Sequence, residues 1–217
     1  MKNFIRHEFP VVKRITLPEG RVYETPSGNR YPSVTTVTGQ ATKHHIDAWR
    51  KRVGDAEADR ISKQAADRGT RIHSYCENFL LGESLQVDMF DFDFWKSLQP
   101  VVDRIDNIHA LEAMLYSDQL RMAGTVDCIG EYNGLLSIID FKTSKKPKKR
   151  EDIEHYFVQA TAYSVMFEEL FGITIPDITI IIGVDDDSPQ VFHARRKDHI
   201  KQLVDLRLQY EKIVYIN

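Results

Sequence analysis

Two aspartates and one lysine flank a predicted tight turn in the middle of the chain. Asn133 and Gly134 separate two segments rich in strand-forming residues, and both tolerate the positive φ of a type I′ hairpin turn. With a two-residue loop, the register of the hairpin places Asp127 directly opposite Asp140. The sequence therefore predicts two carboxylates that are cross-strand neighbours.

Carboxylates in this arrangement have Cβ atoms about 5 Å apart and repel each other unless one is protonated or a cation binds between them. The alternation of side chains puts Lys142 on the face of Asp140 and turns Phe141 to the opposite face. Hard oxygen ligands hold Mg²⁺ or Mn²⁺, a bound cation lowers the pKa of water, and an ammonium stabilises charge on phosphate. The sequence thus predicts metal-dependent phosphodiester hydrolysis by Asp127, Asp140 and Lys142.

An exposed strand face is the commoner explanation of an isolated Asp-x-Lys tripeptide. Here, however, Asp140 follows the largely apolar segment 135–139, which predicts a partly buried site. An unpaired carboxylate would be costly in such a place, and this cost favours the metal site.

The hairpin belongs to a predicted α/β core. The helix of this core should make a right-handed crossover and set the last strand parallel to one of the first three. This predicts a mixed β-sheet of order βββαβ, flanked by helices. The predicted strands are 108–117, 122–132, 135–143 and 178–184, and the predicted helix is 153–171.

The remaining segments are predicted to complete a single domain over residues 1–217. An N-terminal hairpin and a helical cap precede the core, and an edge strand and an amphipathic helix follow it. The expected parts are 1–107, 108–184 and 185–217, with strands at 11–17, 21–25 and 190–195, helices at 56–81 and 91–107, and a turn at Pro18 and Glu19.

The spacing of Asp127 and Asp140-Phe141-Lys142 resembles the core motif of the PD-(D/E)XK nucleases of the RecB type. The resemblance implies a restriction-endonuclease-like fold and a divalent metal, Mg²⁺ or Mn²⁺. The ligands we expect from it are His73, Asp127, Asp140 and the carbonyl of Phe141. The usual proline of the motif is absent, as is a cysteine set for an iron–sulfur cluster.

Two helices carry further parts of the resemblance. The segment 68–73 with Glu77 matches the upstream helix, whose histidine is a metal ligand in that group and corresponds to His73. Gln159 and Tyr163 match a Gln-x-x-x-Tyr helix whose side chains arrange the site and the substrate strand. For His73 the alternative is a structural histidine, and for the other two a surface amide and a core-edge phenol.

The segment from Pro32 to Val37, together with Trp49 and Arg50, resembles the subgroup of mitochondrial genome maintenance exonucleases and their phage-encoded relatives. This resemblance implies an exonuclease that acts on the ends of single-stranded DNA and leaves 5′-phosphates. Two alternatives remain. One is a catalytically inactive nucleic-acid-binding module, and the other is a duplex-processing nuclease subunit of a recombination complex, in which the last helix would be the docking surface.

Basic residues near the motifs are candidates for DNA binding. Because the net charge is −3, affinity for a polyanion must come from a local patch or from bound cations. The basic candidates are Arg50, Arg68, Arg71, Lys145, Lys146 and Lys148, and the candidates for base stacking are Trp49, Tyr75 and Tyr156.

Other acidic residues have simpler explanations than a place in the site. Glu112, on the strand before the hairpin, could add a carboxylate to the site, but an exposed strand glutamate explains it at least as well. The tract 185–187 is interpreted as a turn.

Composition sets the cellular expectation. The chain has 217 residues, 42% of them hydrophobic, and two cysteines, Cys76 and Cys128, which are interpreted as buried thiols. Without an apolar segment of membrane-spanning length or a targeting pattern at the start, we expect a cytoplasmic protein of a bacterial or phage-infected host cell. DNA and possible recombination or replication proteins are the expected partners, with no membrane.

Overall fold

A five-stranded mixed β-sheet with helices on both faces forms the centre of the protein in a computed structural model that describes residues 2–17 and 20–216. The strands of this sheet are β4 (Ile105–Ser117), β5 (Met122–Tyr132), β6 (Leu135–Ser144), β7 (Asp177–Val184) and β8 (Gln190–Arg195). A second sheet contains β1 (Lys13–Leu17), β2 (Gly20–Glu24) and β3 (Arg30–Pro32). The helices are α1 (Val34–Thr38), α2 (Lys43–Val53), α3 (Asp55–Leu81), α4 (Phe92–Val102), α5 (Glu154–Phe171) and α6 (Ile200–Ile216).

The topology of the large sheet confirms the predicted order βββαβ. Its strands follow the sequence across the sheet, antiparallel throughout except for the parallel pair β6 and β7, which α5 connects. The predicted edge strand is β8, with the predicted bounds. At the other edge, the chain near Phe4 pairs with Ile108 of β4, so residues 3–5 cover part of that strand.

One predicted helix is too long, and one short strand was not predicted. The helix expected over 91–107 ends at Val102, because the chain enters β4 at Ile105 to pair with Tyr132. The short strand β3 was not predicted, since three residues are too few to show an alternating pattern. The turn expected at Pro18 and Glu19 lies outside the described residues.

Alternating side chains give the sheet two apolar faces. On one face, α1, α5 and α6 cover residues such as Ile138 and Ile180. On the other face, α3 and α4 cover their neighbours, among them Ile139 and Ile181. The C-terminal helix α6 buries Leu203 and Leu206 in this first layer and is therefore partly a core element. No helix of the described chain is both long enough and apolar enough to cross a bilayer.

Gly183 of β7 should be required for the contact between the sheet and α4. A Cβ atom at this position would lie 2.3 Å from Cζ of Phe94, inside the α4 layer. We expect Gly183→Ala to lower the free energy of unfolding by about 1–3 kcal/mol, because the added carbon overpacks a filled core. Urea unfolding is the measurement. Gly39→Ala, at a position with φ −61° and nothing within 4 Å, is the control and should change stability by less than about 0.5 kcal/mol; equal losses in both variants would refute the contact.

Candidate active site

The strands β5 and β6 stop pairing after Cys128 and Ile139, and the side chain of Asp127 bonds across the opening. The turn at Asn133 and Gly134 has the predicted positive φ angles, 51° and 80°, and the predicted register holds from Tyr132–Leu135 to Cys128–Ile139. That ladder ends one pair before the two aspartates. Oδ2 of Asp127 instead accepts a hydrogen bond of 2.9 Å from the backbone N–H of Phe141.

Glu112 of β4 lies beside Asp127 because the two residues are opposite each other in the register of β4 and β5. It has a φ of 46°, which a residue with a side chain rarely adopts within a strand. On either side of it, Leu111 pairs with Cys128 and Ala113 with Val126. An unusual backbone conformation of this kind costs about 1–3 kcal/mol and is typical of functional sites.

His73 reaches the same place from α3. Its Nε2 lies 2.8 Å from the carbonyl oxygen of Phe141 and so donates to it. Its Nδ1 lies 3.7 Å from Oε1 of Glu112 and 3.6 Å from Oδ1 of Asp127. Although burial opposes protonation, the charge of Asp127 and the nearby carboxylate of Glu112 raise the pKa of His73 to about 9.

Asp140 lies on the α5 side of the sheet, where both of its oxygens have partners. One oxygen forms an ion pair with the ammonium of Lys142 and the other accepts a hydrogen bond of 3.1 Å from Nε2 of Gln159. Burial raises the pKa of the Asp140 carboxyl to about 6 against the attraction of Lys142. Burial also disfavours charge on Lys142, but Asp140 and Asp127 together raise the pKa of its ammonium. The predicted placement of Asp140 and Lys142 on one face is thus confirmed, while Phe141 packs in the opposite layer.

Tyr163 follows Gln159 by one helical turn of α5 and is buried, and burial raises its pKa well above the usual value. Its ring lies against Gly124 of β5, where a Cβ atom would be 2.7 Å from the phenolic oxygen. A larger residue at position 124 would therefore displace Tyr163, and the absence of a side chain there is what admits the phenol.

These residues surround a cavity of about 540 Å³, called here the active-site cavity. From α3 and the core it is lined by His73, Glu77, Glu112, Asp127, Lys142, Gln159 and Tyr163. Two arginines of the N-terminal sheet, Arg14 and Arg21, line the same cavity. The site therefore combines residues from both sheets and from α3 and α5.

A group of three side chains has the geometry to hold a divalent cation. His73, Glu112 and Asp127 each offer a ligand atom, and these atoms all lie within 4.8 Å of one another. An imidazole and two carboxylates are a donor set that binds Mn²⁺, and oxygen ligands also suit Mg²⁺. Glu112, which the sequence left outside the site, belongs to this group. Asp140 and the Phe141 carbonyl lie next to it and contact Lys142, Gln159 and His73.

The predicted DNA-binding arginines all form ion pairs within the chain. Arg50 pairs with two acids of α3, Asp55 at 2.9 Å and Asp59 at 2.8 Å. The other two are held by loops beyond α3, Arg68 by Asp185 at 2.5 Å and Arg71 by Asp91 at 2.8 Å. Sequence alone does not give such long-range partners, and each pairing reduces the charge available to a phosphate.

A second cavity, of about 760 Å³, lies on another face of α3 and is called here the basic groove. It brings together five of the six predicted basic residues and Tyr156, whereas Arg50 does not line it; those five are Arg68, Arg71, Lys145, Lys146 and Lys148. Tyr75 is buried against Trp95 and bonded to Asp91, so its predicted role in base stacking is wrong. Trp49 lies on α2 and lines neither cavity.

Sequence reasoning missed Arg14 and Arg21, and it did not assign Glu112 to the site. The positive φ of Glu112 has no sequence signal, because glycine or asparagine would be expected at such a position. The arginines alternate with apolar residues in short strands, which is a visible pattern, but nothing in it indicates which part of the protein the strands approach.

Comparison with known proteins gives one family and a consistent set of relatives. The family model of the PD-(D/E)XK nuclease superfamily matches residues 28–182. The chain is similar to mitochondrial genome maintenance exonuclease 1 of Homo sapiens, with 28% identity over 145 residues, and of Xenopus tropicalis, with 24% identity over 207 residues. These alignments cover 61% and 88% of this chain but only 40% and 58% of the relatives. The chain thus spans about half the length of these relatives.

Among solved structures, the chain is similar to a protein from Eubacterium rectale that is named as a candidate exonuclease. The match covers 84% of this chain and 66% of that one, with 11% identity and a TM-score of 0.36. A TM-score of this size is too low to carry an argument about fold or function.

Divalent cations should stabilise the protein through the group of His73, Glu112 and Asp127. An ion that binds only the folded chain at one hundred times its Kd adds about 2.7 kcal/mol, which raises the Tm by about 5–10 °C. We expect Mn²⁺ to give such a shift in a thermal melt, and Asp127→Asn to remove most of it. Asp186→Asn, in the acidic turn outside the cavity, should retain the full shift. An equal shift in the two variants would place the ion elsewhere.

Proposed function

The chain belongs to the PD-(D/E)XK nuclease superfamily, and from this premise we propose that it is a metal-dependent exonuclease that hydrolyses single-stranded DNA from an end. The observation that carries the proposal is one cavity in which His73, Glu112 and Asp127 converge within 4.8 Å, beside the ion pair of Lys142 and Asp140. A ligand group and a buried cation side by side suit the cleavage of a phosphodiester.

The side chains of the active-site cavity would have two roles, to hold the metal and to position its ligands. His73, Glu112 and Asp127 hold Mg²⁺ or Mn²⁺, with Asp140 and the Phe141 carbonyl next to them as further ligands. The bound cation supplies Lewis acidity to the attacking water and to the scissile phosphate. The N–H of Phe141 fixes the rotamer of Asp127 through the bond of 2.9 Å, and Gln159 fixes that of Asp140.

Lys142 would act as a cation that stabilises charge on the phosphate. Asp140 and Asp127 raise the pKa of its ammonium, so Lys142 is a cation in the metal-free protein. Its ammonium also lies 5.0 Å from the ring centre of Tyr156, which limits its rotamers. In the metal-bound site Lys142 would help to position the attacking water or to deprotonate it.

Action on single-stranded ends rests on the relatives and on the two cavities. The relatives are named exonucleases, and the basic groove lies beside α3, next to the active-site cavity. A groove with lysines and a tyrosine suits the backbone and bases of an unpaired strand. Cleavage by this arrangement would leave the phosphate on the 5′ end, as the family resemblance implies.

End dependence is tested with linear and circular strands of the same sequence. In Mg²⁺ or Mn²⁺ we expect the linear single strand to be degraded and the circle to persist, and EDTA to stop the reaction. Efficient cutting of circles would exclude an exonuclease. Degradation of a blunt duplex faster than of the linear single strand would favour a duplex-processing subunit. Binding without cleavage in either metal would indicate an inactive module.

The roles of Asp140 and Lys142 are tested by removing each charge. We expect Asp140→Asn and Lys142→Ala to lower kcat at least about a hundredfold, the cost of losing one preorganised group that stabilises the transition state. Asp186→Asn and Lys96→Ala remove the same charges outside the cavity and should leave kcat within about twofold. Thermal melts verify folding, and activity retained in either cavity variant would remove that residue from the catalytic set.

A further inference from the structure

The N-terminal hairpin of β1 and β2 presents two arginines on one face. Arg14 pairs with Tyr23 and Thr16 with Arg21 across the two strands, and paired residues of antiparallel strands point to the same side. Lys13 and Glu24 form a neighbouring pair on the opposite side. The hairpin is therefore two-sided, with a different set of charges on each face.

This face is anchored to the catalytic core. Tyr23 and Tyr31 are buried against Ala123 of β5, the residue before Gly124. Ser33, which forms a bridge with Ala123, donates its N–H to the carbonyl of Arg21 over 3.0 Å. Backbone hydrogen bonds and packed rings thus fix the position of Arg21 relative to β5, whose Gly124 lines the cavity.

Both arginines line the active-site cavity and have no acidic partner within it. No carboxylate of residues 2–17 or 20–216 forms an ion pair with Arg14 or Arg21. On the other face of the hairpin, Lys13 and Arg30 both pair with Glu24, at 3.8 Å and 3.1 Å. The two cations that face the cavity are therefore available to an anion, whereas those that face away are neutralised.

We propose that Arg14 and Arg21 form a phosphate-binding subsite within the active-site cavity. The inference rests on the proposed function, since the phosphate would belong to the strand being cleaved. Guanidinium groups bind phosphate oxygens through two parallel N–H bonds, and Arg suits this task better than Lys. The acids that line the cavity come from α3, β4 and β5, whereas the arginines come from β1 and β2, so a different sheet offers the phosphate a second contact.

Two phosphates have this chemistry: the terminal monoester of the strand and an internal diester next to the scissile bond. A terminal monoester carries more negative charge than an internal diester, and a subsite that binds it would recognise the end of the strand. An internal diester would position the strand without sensing the end. Kinetics on strands with different ends distinguish the two sources.

The experiment measures kcat and KM on linear 20-nucleotide oligodeoxythymidylates that end in a 5′-phosphate, a 3′-phosphate or hydroxyl groups only. We expect Arg14→Ala and Arg21→Ala to raise KM about tenfold and to leave kcat within about twofold. Each should also reduce the slope of log affinity against log salt by about 0.7, the value for one phosphate contact on a single strand. A loss confined to phosphorylated ends assigns the terminal monoester, and an equal loss on all three strands assigns the internal diester.

Matched controls come from the same N-terminal sheet. Lys13→Ala and Arg30→Ala remove the same charge from the opposite face and should leave KM unchanged. If an alanine variant unfolds, Arg14→Gln and Arg21→Gln repeat the test with a longer side chain. Equal effects of the cavity variants and the controls would overturn the subsite.

Failure of the subsite and failure of the proposed function give different results. If the unaltered protein cleaves no strand in Mg²⁺ or Mn²⁺, the proposed function fails. Binding of the 5′-phosphorylated oligonucleotide in EDTA, followed by fluorescence anisotropy, then decides the subsite alone. Weaker binding in the cavity variants but not in the controls supports it, and unchanged binding in both overturns it.

Discussion

Glu112, Asp127 and Asp140 come from three neighbouring strands, and carboxylates held this close repel one another unless each has a partner. The protein satisfies them one by one. Asp127 takes the N–H of Phe141, Asp140 takes Lys142 and Gln159, and Glu112 shares His73 with Asp127. The separation of β5 from β6, the positive φ of Glu112 in β4 and the approach of α3 together bring these partners in. Removal of a partner of Asp127 or Asp140 leaves a buried charge, which costs more than the contact itself contributes.

The sequence predicted those parts of the site that depend on local periodicity. An Asn-Gly turn fixes a register, and a register fixes which residues of β5 and β6 meet, so the level of Asp127 and Asp140 followed from the turn alone. The parallel crossover through α5 followed from the spacing of the strands and the helix. The family resemblance then supplied the residues on α3 and α5 that approach this hairpin, which periodicity could not.

What the sequence could not supply depends on contacts between distant segments. The positive φ of Glu112 is maintained by its neighbours in the sheet, and the pairing of Arg68 and Arg71 with Asp185 and Asp91 joins α3 to loops far along the chain. A sequence pattern indicates that a residue is charged but not whether a partner neutralises it. For this reason the arginines that the sequence predicts to bind DNA are ion-paired, whereas Arg14 and Arg21 of the N-terminal hairpin line the cavity.

Helix α3 runs unbroken for 27 residues, which corresponds to a rod of about 40 Å. One of its faces contributes His73 to the active-site cavity, and another contributes Arg68 and Arg71 to the basic groove. A rod of this kind transmits displacement along its length, because hydrogen bonds within a helix resist local stretching. Because both sets of side chains share this one backbone, a substitution that tilted α3 would displace His73 together with Arg68 and Arg71.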